Sequence, residues 1–154
     1  MKMEHSTSPD EFPVTTLLRK ARDTYGLAIR IRLSAEGLSD LPKKGPYFVG
    51  GLANGAGTES LTKEMGLSNR QVEKLLEGLL KGEFIESDDA LDAQNPLALK
   101  LTAKGLHAAR VVAEAISHVN HELALLVGPE EIAGFRSTLA ALREIRERTE
   151  DSLH

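Results

Sequence analysis

The sequence lacks cysteine and any long apolar run. The absence of cysteine from its 154 residues excludes disulfide bonds, thiol catalysis and thiolate metal sites, and is compatible with a reducing cytoplasm. No apolar stretch approaches the roughly 18 residues that a membrane-spanning helix requires. The polar N-terminal residues also lack the apolar core of a secretory signal. We therefore expect a cytoplasmic protein without a membrane segment.

The chain also has no excess of basic residues. It carries 19 Lys and Arg against 23 Asp and Glu, a formal net charge of -4. Residues 58–104 hold six basic and nine acidic residues. Phosphate neutralisation supplies most non-specific affinity for DNA, so such a segment predicts weak general binding unless its basic groups share one face.

The residue patterns of an enzyme are missing as well. The sequence has no Ser-His-Asp arrangement with a nucleophile turn, and Gly50-Gly51 is not followed by the Gly-Lys-Ser/Thr of a phosphate-binding loop. His118 and His121, with Glu122, could offer two metal ligands from neighbouring helical turns, but no third ligand is evident. We expect no catalysis, no cofactor and no metal. A partly buried or interface histidine pair is the ordinary interpretation.

Residues 58–104 contain two short amphipathic helical patterns. Their apolar positions recur every three or four residues: Leu61, Met65, Leu67, Val72, Leu75, Leu76, Leu79 and Leu80. The period breaks once, at Gly66-Leu67-Ser68, where a tight turn fits. This pattern is typical of a helix-turn-helix.

The ends of both helices can be predicted from their capping residues. Thr58 can cap the first helix, with Glu59 in its positive first turn. Ser68 and Gln71 have the spacing of a capping box that opens the second helix, and Gly82 predicts its end at Lys81. Phe84-Ile85 and Leu97–Leu101 then read as two strands around a polar loop. A helix-turn-helix followed by a hairpin is a winged helix.

Long amphipathic helices flank this segment. A first helix is predicted from Pro13 to about Leu33, and the chain after Gly105 is predicted to be helical with a break at Gly128-Pro129. The later part carries two apolar stripes: Leu106, Ala109, Ala113, Ile116, Val119, Leu123 and Leu126, then Ile132, Phe135, Leu139, Leu142 and Ile145. One winged module is too small to cover these helices, so we infer a homodimer whose terminal helices pack together.

These residues resemble the MarR family of bacterial winged-helix transcriptional regulators. The resemblance rests on the Leu61–Ser68 core, the Leu79–Ile85 exit from the second helix, and Leu99–Gly105, which contains the ending Leu-Thr-x-Lys-Gly. It implies a mainly α fold with a small β-hairpin, in which the N- and C-terminal helices form a dimer. We expect a disordered tail over residues 1–11 and one domain over 12–154, with the winged helix at about 41–104 and dimerisation helices at about 13–33 and 105–150.

The family order also calls for a helix within residues 41–57. Its buried residues would be Tyr47, Phe48, Val49 and Leu52. Gly50-Gly51 would cost roughly 1 kcal/mol per glycine in an exposed helix interior. We expect close packing of another helix to explain them.

DNA reading is predicted for the N-terminal half of the second helix of the helix-turn-helix. The candidate residues are Ser68, Asn69, Arg70, Gln71 and Lys74 on that helix, with Ser60 and Lys63 on the preceding one. Arginine can pair with guanine and Gln or Asn with adenine in the major groove, while Ser60 and Lys63 could reach phosphates. The alternative is that Ser68 and Gln71 act only as caps.

Two acidic features depart from the family pattern. Glu73 stands where the family usually has a small hydroxyl or neutral residue, and in the groove it would face phosphate repulsion unless paired. The family's wing usually carries arginines, whereas here Asp88, Asp89 and Asp92 give it three acids and no base. These acids are expected to be solvated loop residues, or else contacts for a basic partner.

Proteins similar to this one often bind small aromatic effectors between the dimerisation helices and the winged module. Such a site would draw on Arg22, Tyr25, Tyr47 and Phe48, although the aromatic residues are better explained as core. The leading hypothesis is a homodimeric, sequence-specific regulator that binds a pseudo-palindromic duplex with half-sites roughly 34–36 Å apart. The alternative is a winged-helix protein-interaction module whose acidic wing has weakened or abolished DNA binding.

Overall fold

The computed structural model describes residues 11–87 and 99–154, and within these residues the chain is mostly helical with one two-stranded hairpin. In chain order the elements are α1 (Val14–Ala35), α2 (Gly45–Ala53), α3 (Thr58–Glu64), α4 (Asn69–Lys81), β1 (Ile85–Ser87), β2 (Leu99–Leu101), α5 (Ala103–Leu126) and α6 (Pro129–Ser152). The predicted fold class is confirmed. Residues 1–10, most of the predicted tail, lie outside the described part.

The described chain falls into two compact units that divide after Ile116. In the described residues of the first unit, the buried apolar side chains form one hydrophobic core, to which α1, the loop after it, α2, α4, the start of the hairpin and the first half of α5 contribute. Its largest fully buried side chains are Phe48, Phe84, Leu79 and Val49. The helix-turn-helix and the base of the hairpin therefore pack on the same core.

The turn between α3 and α4 has the predicted local chemistry. Gly66 adopts a φ of +65°, a conformation that L side chains rarely adopt, and α4 begins directly after Ser68. The capping box is formed: the Ser68 backbone N–H donates to Gln71 Oε1 at 2.9 Å, and the Gln71 N–H donates to Ser68 Oγ at 3.3 Å. Gly82 follows the last helical residue, Lys81, as predicted.

The predicted cap of α3 is wrong. Thr58 is the first helical residue, not the cap, and Gly57 occupies the N-cap position in an extended conformation. Glycine is among the residues that favour the N-cap position, so Gly57 can take it in place of Thr58. The side chain of Thr58 is buried instead. Glu59 does lie in the first turn, where it complements the helix dipole.

Helix α2 buries one stripe and exposes Tyr47. Gly45, Phe48 and Val49 are buried, whereas Tyr47 is 40% exposed, so its predicted burial is wrong. A helix can bury only one side, and Tyr47 is on the other. A Cβ on Gly51 would lie 2.1 Å from Leu61 Cδ2 of α3, which confirms the expected close packing there, but a Cβ on Gly50 would meet nothing within 4 Å.

The hairpin is antiparallel, with Ile85 opposite Leu101 and Ser87 opposite Leu99. Glu86 and Lys100 form the central pair, and their charged groups lie 3.4 Å apart. The predicted second strand began at Leu97, but Leu97 and Ala98 lie outside the described residues. The predicted first strand began at Phe84, but Phe84 is a fully buried residue that precedes β1.

In the first unit, α5 presents small residues to the core. The buried positions are Gly105, Ala108, Ala109, Val111, Val112 and Ala115. Of the stripe predicted from the sequence, Ala109 is among them, but Leu106 and Ala113 are exposed. The sequence therefore contains two apolar faces on this part of the helix, and only the one with the smaller side chains is covered within the unit.

The second unit consists of the end of α5 and of α6. No residue of α6 is buried, and the predicted stripe is present as exposed side chains: Phe135, Leu139, Leu142 and Ile145. Ion pairs one turn apart, Glu144 with Arg148 and Arg146 with Glu150, support the helix from its polar sides. None of the described helices has the length and apolar character needed to cross a membrane.

Candidate nucleic-acid interface

The N-terminal half of α4 is an exposed polar surface held by a formed cap. Ser68, Asn69, Arg70, Gln71 and Lys74 are all exposed, while Leu75 and Leu79 anchor the opposite side of the helix in the core. This division follows from the sequence, because the apolar residues of α4 recur at three and four. The core therefore fixes which side of α4 faces outward.

Basic residues concentrate on that outward side. With 3.6 residues per turn, Arg70, Lys74 and Lys81 lie within about 40° of one another around the helix axis. All three are exposed, and among the described residues none of them has an ion-pair or hydrogen-bond partner. The acidic Glu73 and Glu77 are exposed on the same helix, about 60° and 20° from Arg70 on the other side from Lys74. The exposed part of α4 thus carries three basic and two acidic residues, although residues 58–104 as a whole are acidic.

Lys81 was not among the residues predicted from the sequence. Its place is set by helical spacing alone, seven residues after Lys74, so the signal was available. It lies at the C-terminal end of the helix, where a cation also complements the helix dipole. It extends the basic row over the whole length of α4.

The two candidate residues of α3 are exposed as well. Ser60 and Lys63 lie on the solvent side of this short helix, whereas Leu61 is half-buried against the core. Lys63 is in the last turn of α3, close in sequence to the turn that leads into α4. The helix-turn-helix therefore exposes candidate residues from both of its helices.

Gln71 has only part of its side chain available. Its Oε1 atom accepts the hydrogen bond from the Ser68 N–H, so the side chain is held back along the helix start. Bidentate recognition of adenine needs both the amide oxygen and the amide N–H. Only the amide NH₂ remains for a ligand in this conformation. Asn69, which is exposed and makes no such bond within the described chain, keeps both groups.

A polar junction fixes the base of the hairpin to the end of α4 and the start of α5. Lys104 Nζ donates to the Gly82 carbonyl at 2.8 Å and to Asp40 Oδ2 at 2.7 Å, and it lies 4.4 Å from the centroid of the Phe84 ring. The hydrogen bond from Lys104 lowers the pKa of the Asp40 carboxyl below its ordinary value of 3.8. Burial opposes this shift, while a backbone hydrogen bond at Asp40 and the positive charge of Lys104 add to it.

Thr102 and Gly105 complete this junction. The Thr102 hydroxyl donates to the Glu83 carbonyl at 2.5 Å and accepts from the Gly105 N–H at 3.0 Å, which caps the start of α5. A Cβ on Gly105 would lie 2.0 Å from the Phe84 carbonyl oxygen. The Leu-Thr-x-Lys-Gly segment is thus a structural joint. Its partner Asp40 is 64 residues away in sequence, and no local pattern could have identified it.

The residues considered for an effector site have different environments. Phe48 is fully buried in the core, as the alternative interpretation requires, while Arg22 and Tyr47 are exposed and Tyr25 is half-buried. The candidate metal residues His118, His121 and Glu122 are exposed, and the described part of the chain holds no group of three or more potential ligands for a metal ion. The wing acids Asp88, Asp89 and Asp92 lie outside the described residues.

The helix-turn-helix and the hairpin that follows it define a winged-helix protein. Solved structures of other proteins share this fold. A variant of S. aureus MepR matches 87% of this chain and 98% of its own, with a TM-score of 0.59 at 19% identity. The M. tuberculosis transcriptional regulator MosR, in a complex with DNA, matches 86% of this chain and 99% of its own, with a TM-score of 0.55 at 19% identity. A second MepR variant gives a TM-score of 0.52 at 16% identity.

MepR and MosR are MarR-family winged-helix transcriptional regulators, so the predicted resemblance is confirmed at the level of the fold. The family to which they belong is not enzymatic. No protein-family model matches the sequence, and no curated protein matches it either.

Proposed function

We propose that this protein is a sequence-specific, DNA-binding transcriptional regulator that acts as a homodimer on a pseudo-palindromic site. The observation that supports it most directly is the row of exposed, unpaired cations on α4, Arg70, Lys74 and Lys81, in a winged-helix fold. The MosR neighbour, whose structure includes DNA, makes duplex DNA the natural ligand to test. Arg70 would read a guanine, and Ser60, Lys63 and Lys74 would hold the backbone.

The homodimer is supported by apolar side chains that the single chain leaves uncovered. On α1, Leu27 and Ile31 stand one turn apart and are more than half exposed. On α6, the four residues of the exposed stripe add a second apolar surface. Contiguous exposed apolar surface of this kind usually marks an interaction site. A small aromatic effector would act by changing the spacing of the two α4 helices in such a dimer.

The test is selection from a random duplex library at low and at physiological salt. The wild-type chain is expected to enrich a two-fold symmetric motif. Arg70→Ala is expected to lose one specified base position in each half-site, and the loss of a bidentate arginine–guanine pair should weaken binding by about 5- to 150-fold.

Arg110→Ala is the matched control, because Arg110 is also exposed but lies on α5, away from α4 in sequence. It removes the same charge and should leave the enriched motif unchanged. Absence of any enriched motif, from protein shown to be folded, would contradict the proposal. It would favour the interaction-module alternative, which rests on the acidic sequence Ser87-Asp88-Asp89-Ala90-Leu91-Asp92.

A further inference from the structure

Glu73 is an acid that the proposed DNA-binding role does not explain. It stands three residues after Arg70 on the exposed side of α4, and its side chain has no ion-pair or hydrogen-bond partner within residues 11–87 and 99–154. In particular, Glu73 forms no ion pair with Arg70 or with another basic residue of α4, so its negative charge is not neutralised within the helix. Its charge is therefore available to a ligand.

A carboxylate in this place restricts what the ligand can be. An ionised carboxylate only accepts hydrogen bonds, and phosphate oxygens only accept them too, so contact between Glu73 and the DNA backbone is repulsive. The edges of the bases in the major groove offer two amino donors, cytosine N4 and adenine N6. Of these, adenine presents the N7 acceptor beside its amino group, which a carboxylate repels. Cytosine is the base that best fits an acidic side chain.

The spacing from Arg70 places the two contacts side by side. Residues three apart on a helix have Cβ atoms about 5–6 Å apart, and successive bases along a strand are about 3.4 Å apart. Arg70 and Glu73 can therefore address neighbouring base pairs. Arginine selects guanine, and glutamate selects cytosine.

We infer that Glu73 is a specificity-determining residue, which accepts a hydrogen bond from cytosine N4 next to the guanine contacted by Arg70. The inference rests on the proposed function, since it requires α4 to enter the major groove. Each half-site then contains a required cytosine within one or two base pairs of the required guanine. Phosphate repulsion strengthens the selection, because a register without that cytosine leaves the carboxylate unpaired in the groove.

The experiment compares three variants in the same duplex-library selection. Glu73→Gln removes the charge and keeps the shape, and glutamine prefers adenine. Its half-site should therefore change from cytosine to adenine, or lose its preference, at that one position. Arg70→Ala identifies the guanine position independently. Compared with wild type, Glu73→Gln should shift the ratio of its affinities for the cytosine site and the adenine site at least roughly fivefold toward the adenine site.

Glu77→Gln is the matched control. Glu77 is an exposed acid one turn further along the same helix, and the variant makes the same change of charge beyond the N-terminal part of α4 that contacts base edges. It should bind somewhat more tightly to all sequences without altering the motif. If Glu73→Gln behaves in the same way as Glu77→Gln, or if the wild-type motif specifies no second G·C pair within two base pairs of the Arg70-dependent one, Glu73 is not a base reader.

Failure of the proposed function itself has a different signature. In that case the wild-type chain enriches no motif, and both the function and the role of Glu73 are overturned. A wild-type motif with an Arg70-dependent guanine, unchanged by Glu73→Gln, overturns the role of Glu73 alone.

Discussion

At the scale of single residues, the contact between Lys104 and Asp40 connects the loop after α1 to the start of α5. The carboxylate has a lowered pKa because Lys104 donates a hydrogen bond to it. A carboxyl group whose pKa is lower in the folded state than in the unfolded state stabilises the fold at pH values above its unfolded pKa. This stabilisation is lost as the pH falls through the folded value.

We expect Asp40→Asn to lower the free energy of unfolding at neutral pH by about 0.5 kcal/mol, the usual worth of a partly exposed ion pair. Both side chains keep substantial exposure, 49% for Asp40 and 35% for Lys104, so a larger effect is not expected. The difference from wild type should stay constant from roughly pH 7 to pH 5 and shrink below the ordinary pKa of the carboxyl, 3.8. Urea denaturation at several pH values measures it.

The control is Asp23→Asn, which makes the same change at an exposed residue of α1 without an ion pair among the described residues. Its stability should follow that of wild type at every pH. A constant difference between Asp40→Asn and wild type down to strongly acidic pH would show that the charge of Asp40 is not the source of the effect.

At the scale of elements, the start of α5 must come very close to the residue before β1. Gly105→Ala would place a Cβ 2.0 Å from the carbonyl oxygen of Phe84, a backbone atom that cannot swing away as a side chain can. We expect the variant to lose at least about 1–3 kcal/mol of stability, the usual cost of overpacking. The midpoint of urea denaturation should fall at an unchanged slope.

Gly50→Ala is the comparison, because Gly50 also lies inside a helix but a Cβ there meets nothing within 4 Å. It should raise stability by about 0.5–1 kcal/mol, since alanine loses less conformational freedom than glycine when a helix forms. If both variants were equally stable, the α5–β1 approach would not be as close as described.

The same elements show which features of the fold can be predicted from the sequence. The capping box at Ser68 and the end of α4 at Gly82 were predictable, because both depend on residues within one turn of each other. The burial of Phe48 but not Tyr47 depends on which side of α2 meets the core, and an unbroken apolar run does not encode that side. The Lys104–Asp40 contact joins distant parts of the chain and could not be predicted locally.

The candidate site was predictable to a similar extent. Helical spacing identifies the outward side of α4, so Arg70 and Lys74 could be named, and Lys81 could have been. The sequence pattern predicts two competing roles for Gln71, as a helix cap and as a residue that contacts a base. The hydrogen bond from the Ser68 N–H to Gln71 Oε1 shows that the cap is formed.

At the scale of the whole molecule, the proposed function links the exposed apolar stripe of α6 to DNA binding through dimer formation. In the proposed homodimer, two copies of α4 would contact twice as many phosphates as one copy. Each phosphate neutralised contributes about 0.9 to the slope of log affinity against log salt concentration. A homodimer should therefore show about twice the salt dependence of an isolated chain, and a variant that cannot dimerise should lose half of it.

Leu139→Glu tests this link, because Leu139 is at the centre of the exposed stripe on α6. A carboxylate there would be buried without a partner in the dimer, so we expect the dissociation constant of the dimer to rise by at least about thirtyfold. Sedimentation measures the mass, and DNA titrations at several salt concentrations measure the slope.

Ser137→Glu introduces the same charge at an exposed position away from the stripe, and it should keep both the dimer and the steep slope. If Leu139→Glu remained dimeric, another surface, such as that of Leu27 and Ile31 on α1, would hold the two chains together. If it became monomeric with an unchanged slope, DNA binding would not require the dimer.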